Sequence, residues 1–549
     1  MKIIANKSAQ TLITAGIEKL NELNFTQKLY GRDGSLWKQD LESIKFIESF
    51  LGWTEIYDWS FKQIPEIKTF AQEVKNNFNH IVLMGMGGSS LAPEVLRVIF
   101  GRQKGYPELF VLDSTNPDWI CRVRSQIDPL KTLFIFASKS GGTVEPSSQF
   151  AYFYDEVSKV SKTPGANFIA ITDPETGLET LAKQKNFRKI FLNPADIGGR
   201  FSALSLFGLV PAALCGFDID DILKKAARTG DNFKTDKNSA AAQLGALIGQ
   251  AYAAGRDKLV LLMPSNIDIF GLWVEQLVAE STGKERKGIV PVSGELLHEN
   301  FEYKNDRIFV YISCGGANDA KVRSIAGALA KTEHPIVEID MEETNAVGAQ
   351  FLLWEIATAA AGALMQINPF DQPNVQLAKT ITKSLLTDLE AGKKSAQTTA
   401  EILTSKNLMG KINLPTLTQD IYNIIKNNDY VALLPYLNAS KDIDDIFAVF
   451  RDKILTHTKN SVLFGYGPRY LHSTGQLHKG DGNNGIFIIM SADAQNDVKI
   501  PGQTYTFADL CNAQALADFK ALEEKGRRAV KLHFKQPLLD ELKKLISQF

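Results

Sequence analysis

The segment Val274–Gly288, VEQLVAESTGKERKG, places a carboxylate at the end of an apolar helical stretch. Apolar residues with helical spacing lead up to Glu280, and the small residues Ser281, Thr282 and Gly283 interrupt the helix just after it. A carboxylate held at the end of a rigid helix is suited to removing a proton from carbon. The alternative is an ordinary solvated helix end, which is the usual interpretation of one glutamate before a charged cluster.

Two loops rich in glycine and hydroxyl residues follow predicted strands. The first, MGMGGSSL, contains Gly88 and Ser89 at the start of a helix, where free backbone N–H groups favour an anion. The second, FASKSGGTVEP, offers three hydroxyls and one cation: Ser138, Lys139, Ser140 and Thr143. Neither loop has the GxGxxG or GxxxxGK[ST] spacing of nucleotide-binding loops. Each could be a simple capped turn, but two at neighbouring strand ends favour a phosphate pocket.

Two further segments carry polar residues that could complete a site. In DIGGRFSALS, Gly199 lets the backbone approach closely and Arg200 presents a cation. That arginine could pair with a distant carboxylate or could stabilise negative charge that develops in a reaction. In NPFDQPNVQLAK, Gln372 and Lys379 lie seven residues apart and therefore share a helix face, although Lys379 could equally be a surface lysine.

Histidine is scarce, with seven residues in the chain. His298 follows Glu280 by 18 residues, and His472 lies in RYLHSTGQLHKG after a strand and a Gly-Pro turn. A single histidine is more often a packed or surface residue than a catalytic one. No His, Cys, Asp or Glu group has convincing metal spacing, so the sequence predicts neither a metal nor a cofactor.

Short apolar segments alternate with helical ones along most of the chain, which predicts α/β units with parallel sheets covered on both faces. The predicted strands cover residues 81–86, 108–113, 132–138, 168–173, 189–193, 258–264, 307–313, 335–340, 430–437, 461–467, 485–491 and 530–534. We divide the chain into four parts by this pattern. They are an N-terminal helical segment (1–75), a first domain with the glycine loops (76–235), a second with Glu280 (236–390) and a smaller C-terminal α/β extension (391–549).

The composition narrows the class of function. The 549 residues have a formal net charge of -1, which gives no basic excess for nucleic acid and no acidic tail. We find no signal peptide and no apolar segment of about 18 residues, so we predict no membrane span. The four cysteines are far apart and match no disulfide or metal spacing, which fits a reducing, cytoplasmic compartment.

Taken together, the motifs resemble those of the phosphoglucose isomerases. GMGGSSL, ASKSGGTVEP, GGRFSALS, ESTGK and NPFDQPNVQLAK occur in that family's order over about residues 75–390. YGRDGSLW and HSTGQLHKGDGNNGIF resemble more closely the isomerase half of bifunctional transaldolase/phosphoglucose isomerases, although the N-terminal segment is too short for a transaldolase barrel. The resemblance implies tandem sugar isomerase (SIS) domains with doubly wound parallel sheets. It also implies a cofactor-independent isomerisation of glucose 6-phosphate and fructose 6-phosphate through an enediolate, carried out by a homodimer.

The resemblance assigns a role to each candidate residue. Glu280 matches the catalytic base, Arg200 lies beside the reacting carbons with Gly199, and Lys379 assists ring opening. The remaining substrate-binding residues are Gly88, Ser89, Ser138, Lys139, Ser140, Thr143, Gln276 and Gln372. For the ring-opening histidine, position in the chain favours His298 and the local pattern favours His472; we prefer His298.

Two alternatives remain open at this stage. One is another SIS enzyme, such as a phosphomannose or dual-specificity isomerase, which would share the loops and the base. The other is a non-catalytic sugar-phosphate sensor, which would need the loops but not Glu280, Arg200 and Lys379 together. A DNA-binding regulator would need a basic helix-turn-helix, which the sequence lacks.

Overall fold

Three five-stranded sheets organise the chain in a computed structural model that describes residues 2–299, 301–315, 317, 319–393 and 395–549. Helices lie between consecutive parallel strands, as in doubly wound α/β proteins. The predicted fold class is therefore observed: each of the 12 predicted strands coincides with a strand of the structure.

The N-terminal segment consists mainly of helices, but its first residues join a sheet from the middle of the chain. Its elements are β1 (Ile3–Ala5), α1 (Lys7–Glu22), α2 (Phe25–Tyr30), α3 (Leu41–Glu48) and α4 (Ile56–Asn77). Strand β1 pairs in antiparallel fashion with residues 337–339. Helix α1 packs so closely on a later helix that a Cβ added at Gly16 would lie 2.6 Å from the Cβ of Ala246. The segment is thus built into the second sheet.

The first sheet is entirely parallel and has the order β3-β2-β4-β5-β6. Its strands are β2 (His80–Met84), β3 (Glu108–Leu112), β4 (Thr132–Ala137), β5 (Phe168–Thr172) and β6 (Lys189–Leu192). Its helices are α5 (Leu91–Phe100), α6 (Pro117–Ser125), α7 (Val144–Ser158), α8 (Gly177–Gln184), α9 (Leu206–Leu214) and α10 (Ile219–Thr235). Because β2 and β4 are neighbours and parallel, the two glycine loops that follow them lie at the same edge of the sheet.

The second sheet has the order β1-β10-β9-β7-β8. Its elements are α11 (Ala240–Ala253), β7 (Lys258–Leu262), α12 (Phe270–Thr282), β8 (Val290–Val292), β9 (Arg307–Cys314), α13 (Ala320–Leu329), β10 (Ile336–Met341), α14 (Val347–Met365) and α15 (Gln376–Glu390). Residues 344–365 are long and apolar enough to cross a membrane, but 94% of their most apolar window is buried inside the protein. Helix α14 is therefore a core helix of this unit.

The third sheet has the order β11-β15-β14-β12-β13. Its elements are β11 (Ile402–Thr404), α16 (Leu417–Ile424), β12 (Tyr430–Tyr436), α17 (Lys441–Thr458), β13 (Ser461–Phe464), α18 (Gly475–Gly480), β14 (Gly485–Ala492), α19 (Phe507–Glu524), β15 (Arg528–Phe534) and α20 (Leu538–Ser547). In the second and third sheets alike, the four parallel strands follow the order second, first, third, fourth, and an antiparallel strand lies beside the fourth. The C-terminal unit was expected to be smaller, yet its sheet has as many strands as the others.

Three strands had no counterpart in the sequence-based prediction. They are β1, β8 and β11, each three residues long. Segments this short show no hydrophobic alternation, and β1 and β11 are held only at a sheet edge by an antiparallel partner distant in sequence. The predicted division into four segments stays an expectation, and several helix pairs pack across its boundaries, among them α1 on α11, α10 on α14 and α15 on α19.

Candidate active site

The first glycine loop needs glycine because another backbone lies against it. A Cβ built on Gly88 would lie 1.9 Å from the carbonyl oxygen of Gly199, a contact that no side chain can make. Gly87 has a positive φ of 54°, and its added Cβ would lie 2.7 Å from the carbonyl oxygen of His472. Ser89 follows at the start of α5 and is partly buried. We call each sheet with its helices a unit. The loop is therefore enclosed by a segment of the first unit, at Gly199, and a segment of the third unit, at His472.

The second loop turns its hydroxyl groups toward its own backbone. Ser138 Oγ accepts a hydrogen bond from the Gly141 N–H at 3.1 Å and lies 3.4 Å from Thr143 Oγ1. Ser140 Oγ accepts from the Gly142 N–H at 3.4 Å. The Lys139 ammonium forms an ion pair with Asp173, so its charge is already compensated within the first unit. The hydroxyls and free amides of this loop, rather than that ammonium, remain for an anion.

Glu280 and Arg200 form an ion pair at the end of α12, with Nη1 3.3 Å from Oε1. Arg200 is 3% exposed, and burial lowers the pKa of its guanidinium, although Glu280 and Asp371 oppose that shift. Its other donors bond to Ser281 Oγ at 2.9 Å and to Gln372 Oε1 at 3.2 Å. The guanidinium is therefore fixed rigidly against the carboxylate.

A buried lysine beside this pair was not selected from the sequence. Lys284 is 1% exposed, and its ammonium donates to the carboxylate and the carbonyl of Asp371, both at 2.6 Å. Burial lowers its pKa to about 8, and the nearby Arg200 contributes to the same shift. The Asp371 carbonyl also accepts from Arg200 Nη2 at 2.9 Å, so both cations hold the same loop. Its place directly after a glycine that closes a buried helix was the signal that could have identified it.

His472 reaches this site from the third unit. Its Nε2 lies 2.9 Å from Glu145 Oε1, at the start of α7 in the first unit. Its carbonyl accepts a hydrogen bond from Gln276 Nε2 at 2.7 Å, and the same amide lies 3.3 Å from Glu280 Oε2. Gln276, Glu280 and His472 are thus linked through one side-chain amide.

The structure does not bring His298 to these residues. Its Nε2 lies 2.6 Å from Asp452 Oδ1, and its ring packs against Phe301. His298 follows β8 in a loop that faces α17, away from the end of α12. The preference for His298, which rested on position in the chain, therefore has no geometric support, because the loop that carries His472 reaches the site instead.

A cavity of about 870 Å³ opens next to His472. Thr143, Glu145, Lys379 and His472 line it together with residues of α15 and α19. Lys379 is exposed to this space. Burial raises the pKa of Glu145, but the contacts with His472, a backbone hydrogen bond and the charge of Lys379 together hold it below its usual value. Among the described residues, no group of three or more His, Cys, Asp or Glu side chains could hold a metal ion.

The turn after Glu280 is shaped by the third unit. A Cβ added at Gly283 would lie 2.3 Å from the Cα of Leu477. The Gly283 carbonyl accepts from Gln476 Nε2 at 2.8 Å, and a Cβ at Gly480 would lie 2.2 Å from the same oxygen. A glycine is therefore required at position 283 because α18 packs directly against the turn.

Comparison with known proteins agrees with this geometry. The family model described as phosphoglucose isomerase matches residues 63–295, which include both glycine loops, Arg200 and Glu280. Over these residues the chain is similar to the phosphoglucose isomerases. The match to the phosphoglucose isomerase model ends before Lys379 and His472, which lie in the later part of the chain.

Relatives and solved structures extend the similarity. A glucose-6-phosphate isomerase of Campylobacter jejuni is 26% identical over 61% of this chain and 92% of its own. One from Shouchella clausii is 29% identical over 61% of this chain and 86% of its own. A hypothetical protein from Thermus thermophilus has a TM-score of 0.61 at 24% identity and covers 70% of this chain and 99% of its own. A glucose-6-phosphate isomerase of Chlamydia trachomatis has a TM-score of 0.57 at 18% identity and covers 69% of this chain and 86% of its own. This chain shares its α/β fold with both structures.

Proposed function

We propose that this chain interconverts glucose 6-phosphate and fructose 6-phosphate, because the relatives from Campylobacter jejuni and Shouchella clausii are glucose-6-phosphate isomerases. The observation that carries the proposal is the Arg200–Glu280 ion pair at the end of α12, placed beside the hydroxyl loops of the first sheet. A general base, a fixed cation and an anion-binding loop are the groups that an aldose–ketose isomerisation requires.

The proton transfer is assigned to Glu280. Its carboxylate takes the proton from C2 of the open-chain sugar and returns it to C1. Arg200 stabilises the negative charge on the enediolate oxygens, and its four protein acceptors keep it in place without reorganisation. The helix end and the buried guanidinium together keep the base at a fixed distance from the reacting carbons.

Ring opening is assigned to His472 with Lys379. Burial raises the pKa of Glu145, but the opposing contacts hold it below its usual value, so the carboxylate stays ionised and accepts a hydrogen bond from His472 Nε2–H. This fixes the tautomer and leaves Nδ1 to exchange a proton with the ring oxygen. Ser89, Ser138, Ser140 and Thr143 anchor the phosphate, so that binding energy remote from the reaction orients the reacting end.

The site draws all these groups from one chain. The resemblance predicts a homodimer with shared active sites, whereas here the third unit supplies His472 and the first unit its partner Glu145. We propose that turnover does not depend on a second copy, which dilution with light scattering and activity measured together would test. A cytoplasmic location fits the four cysteines, all of which are free thiols.

A direct assay separates this function from the alternatives. The chain is supplied with glucose 6-phosphate, fructose 6-phosphate or mannose 6-phosphate, and product is measured with coupled dehydrogenases. We expect fast interconversion of the first two. Preferred turnover of the mannose compound would instead identify a phosphomannose isomerase, and tight binding without any turnover would identify a sensor.

A further inference from the structure

Behind the His472–Glu145 pair lies a third polar side chain, Gln514 of α19. Its Nε2 donates to Glu145 Oε1 at 2.7 Å, the same oxygen that lies 2.9 Å from His472 Nε2. Gln514 is 2% exposed and Glu145 is 3% exposed, so water does not compete for these bonds. One carboxylate oxygen therefore receives two donors, both from the third unit.

The orientation of the Gln514 amide is fixed from its other end. The buried hydroxyl of Thr115, in the loop after β3, donates to Gln514 Oε1 at 2.6 Å. A reversed amide would put its carbonyl oxygen against Glu145 Oε1 and leave the hydroxyl without its acceptor. Thr115, Gln514, Glu145 and His472 thus form a single hydrogen-bonded chain across the first and third units.

We infer that Gln514, oriented by Thr115, is a positioning residue for ring opening: it holds the Glu145 carboxylate where it fixes the His472 ring. The inference rests on the proposed isomerase function. A buried amide with only a packing role would be expected to bond to its own helix or to neighbouring backbone. Gln514 instead uses both of its polar atoms on residues of the first unit, one of which is the partner of His472.

The test compares a substrate that must open with one that is already open. Glucose 6-phosphate turnover reports both ring opening and proton transfer. An aldose phosphate such as erythrose 4-phosphate, whose terminal oxygen carries the phosphate, cannot cyclise, so deuterium exchange at its C2 in D₂O reports proton transfer alone. We expect Gln514→Leu to lower kcat for glucose 6-phosphate about 10-fold, because a buried hydrogen bond to a charged group is lost, and to leave the exchange rate within about two-fold.

Thr115 supplies a matched pair of variants. Thr115→Val keeps the shape but removes the hydroxyl, and we expect the same selective loss at a smaller size. Thr115→Ser keeps the hydroxyl and should retain activity near that of the unmodified chain. Gln250→Leu serves as the control for loss of a buried glutamine, since Gln250 accepts from Lys19 on α1 and lies outside the hydrogen-bonded chain of Gln514.

The outcomes are distinct. The inference is supported if Gln514→Leu and Thr115→Val lose turnover of glucose 6-phosphate but keep the exchange rate, while Thr115→Ser keeps both. Equal loss with both substrates would mean that Gln514 has a merely structural role. No loss would mean that Gln514 has no role in the reaction. Either result would overturn the inference. If the unmodified chain shows neither turnover nor exchange, the proposed isomerase function itself fails.

Discussion

The side-chain amide of Gln276 lies 2.7 Å from the main-chain carbonyl of His472, which joins the helix of the base to the loop of the third unit. The same amide contacts the Glu280 carboxylate at 3.3 Å. The proposed base and the proposed ring-opening histidine are therefore held at a set separation. This coupling matters because both must meet the same bound sugar.

Replacing the base gives the most direct prediction. We expect Glu280→Gln to lower turnover about 10²–10⁴-fold, because the amide cannot accept the carbon-bound proton. The amide keeps the shape of the side chain, so the affinity for fructose 6-phosphate, measured by calorimetry, should change little. Turnover close to that of the unmodified chain would show that Glu280 is not the base.

The two histidines should behave differently when each is replaced by alanine. His472→Ala should lower turnover of cyclic glucose 6-phosphate about 100-fold, since Nδ1 is the proposed proton donor and acceptor at the ring oxygen. His298→Ala should stay within about two-fold, because its partner is Asp452 on α17. The reverse pattern in the same assay would restore the assignment made from chain position.

A methyl group at Gly88 should disrupt the contact between the first glycine loop and the loop that carries Gly199. The added Cβ would lie 1.9 Å from the Gly199 carbonyl, so one backbone must move, at a cost of about 1–3 kcal/mol. We expect Gly88→Ala to raise KM for sugar phosphates and to lower the melting temperature. Gly327→Ala, on α13 with no neighbour within 4 Å of its added Cβ, is the control; it should leave KM unchanged and should not lower the melting temperature, since alanine favours the helix.

A buried acid in α14 should make stability depend on pH. Glu355 is fully buried, and neither carboxylate oxygen has a hydrogen-bond partner among the described residues. Burial raises its pKa well above 4.5. Above about pH 4.5 the unfolded chain releases this proton while the folded chain keeps it. The free energy of unfolding therefore falls by about 1.4 kcal/mol for each pH unit, until the carboxyl group of the folded chain ionises.

Glu355→Gln removes that titration without changing the shape of the side chain. We expect the variant to melt a few degrees higher than the unmodified chain at pH 7.5 and the difference to shrink toward pH 5, measured by circular dichroism. The exposed Glu48 provides the comparison, and Glu48→Gln should show no such trend. If the difference in melting temperature between the variant and the unmodified chain is constant with pH, Glu355 is not the group whose titration changes the stability.

The parts of the site that were predictable are local in sequence. The glycine loops, Arg200 and Glu280 each lie in a short segment whose composition and place after a strand or helix indicate its chemistry. The two glycine loops predicted a phosphate pocket, and alternating apolar segments predicted parallel sheets covered on both faces. The sugar substrate and the tandem doubly wound domains were implied by the family resemblance that the motifs carry.

The remainder depends on contacts between distant parts of the chain. His472 reaches Glu145 across 327 residues, and Thr115 reaches Gln514 across 399, so no spacing rule connects them. The choice between two histidines therefore required knowing which loop the third unit presents. Lys284 was missed for a related reason: a lysine in a charged cluster is normally a surface residue, but this one is buried with its ammonium on Asp371, 87 residues further along the chain.

The pairing of β1 with β10 also bears on how the protein matures during synthesis. Residues 3–5 leave the ribosome long before their partner strand, which begins at Ile336, so this edge of the second sheet stays open during that interval. The hydrogen-bonded chain around Glu145 is completed later still, because Gln514 follows Ile336 in the sequence. A nascent chain is therefore expected to pass through a long inactive period in which an unpaired N-terminal strand invites chaperone capture or association with other chains.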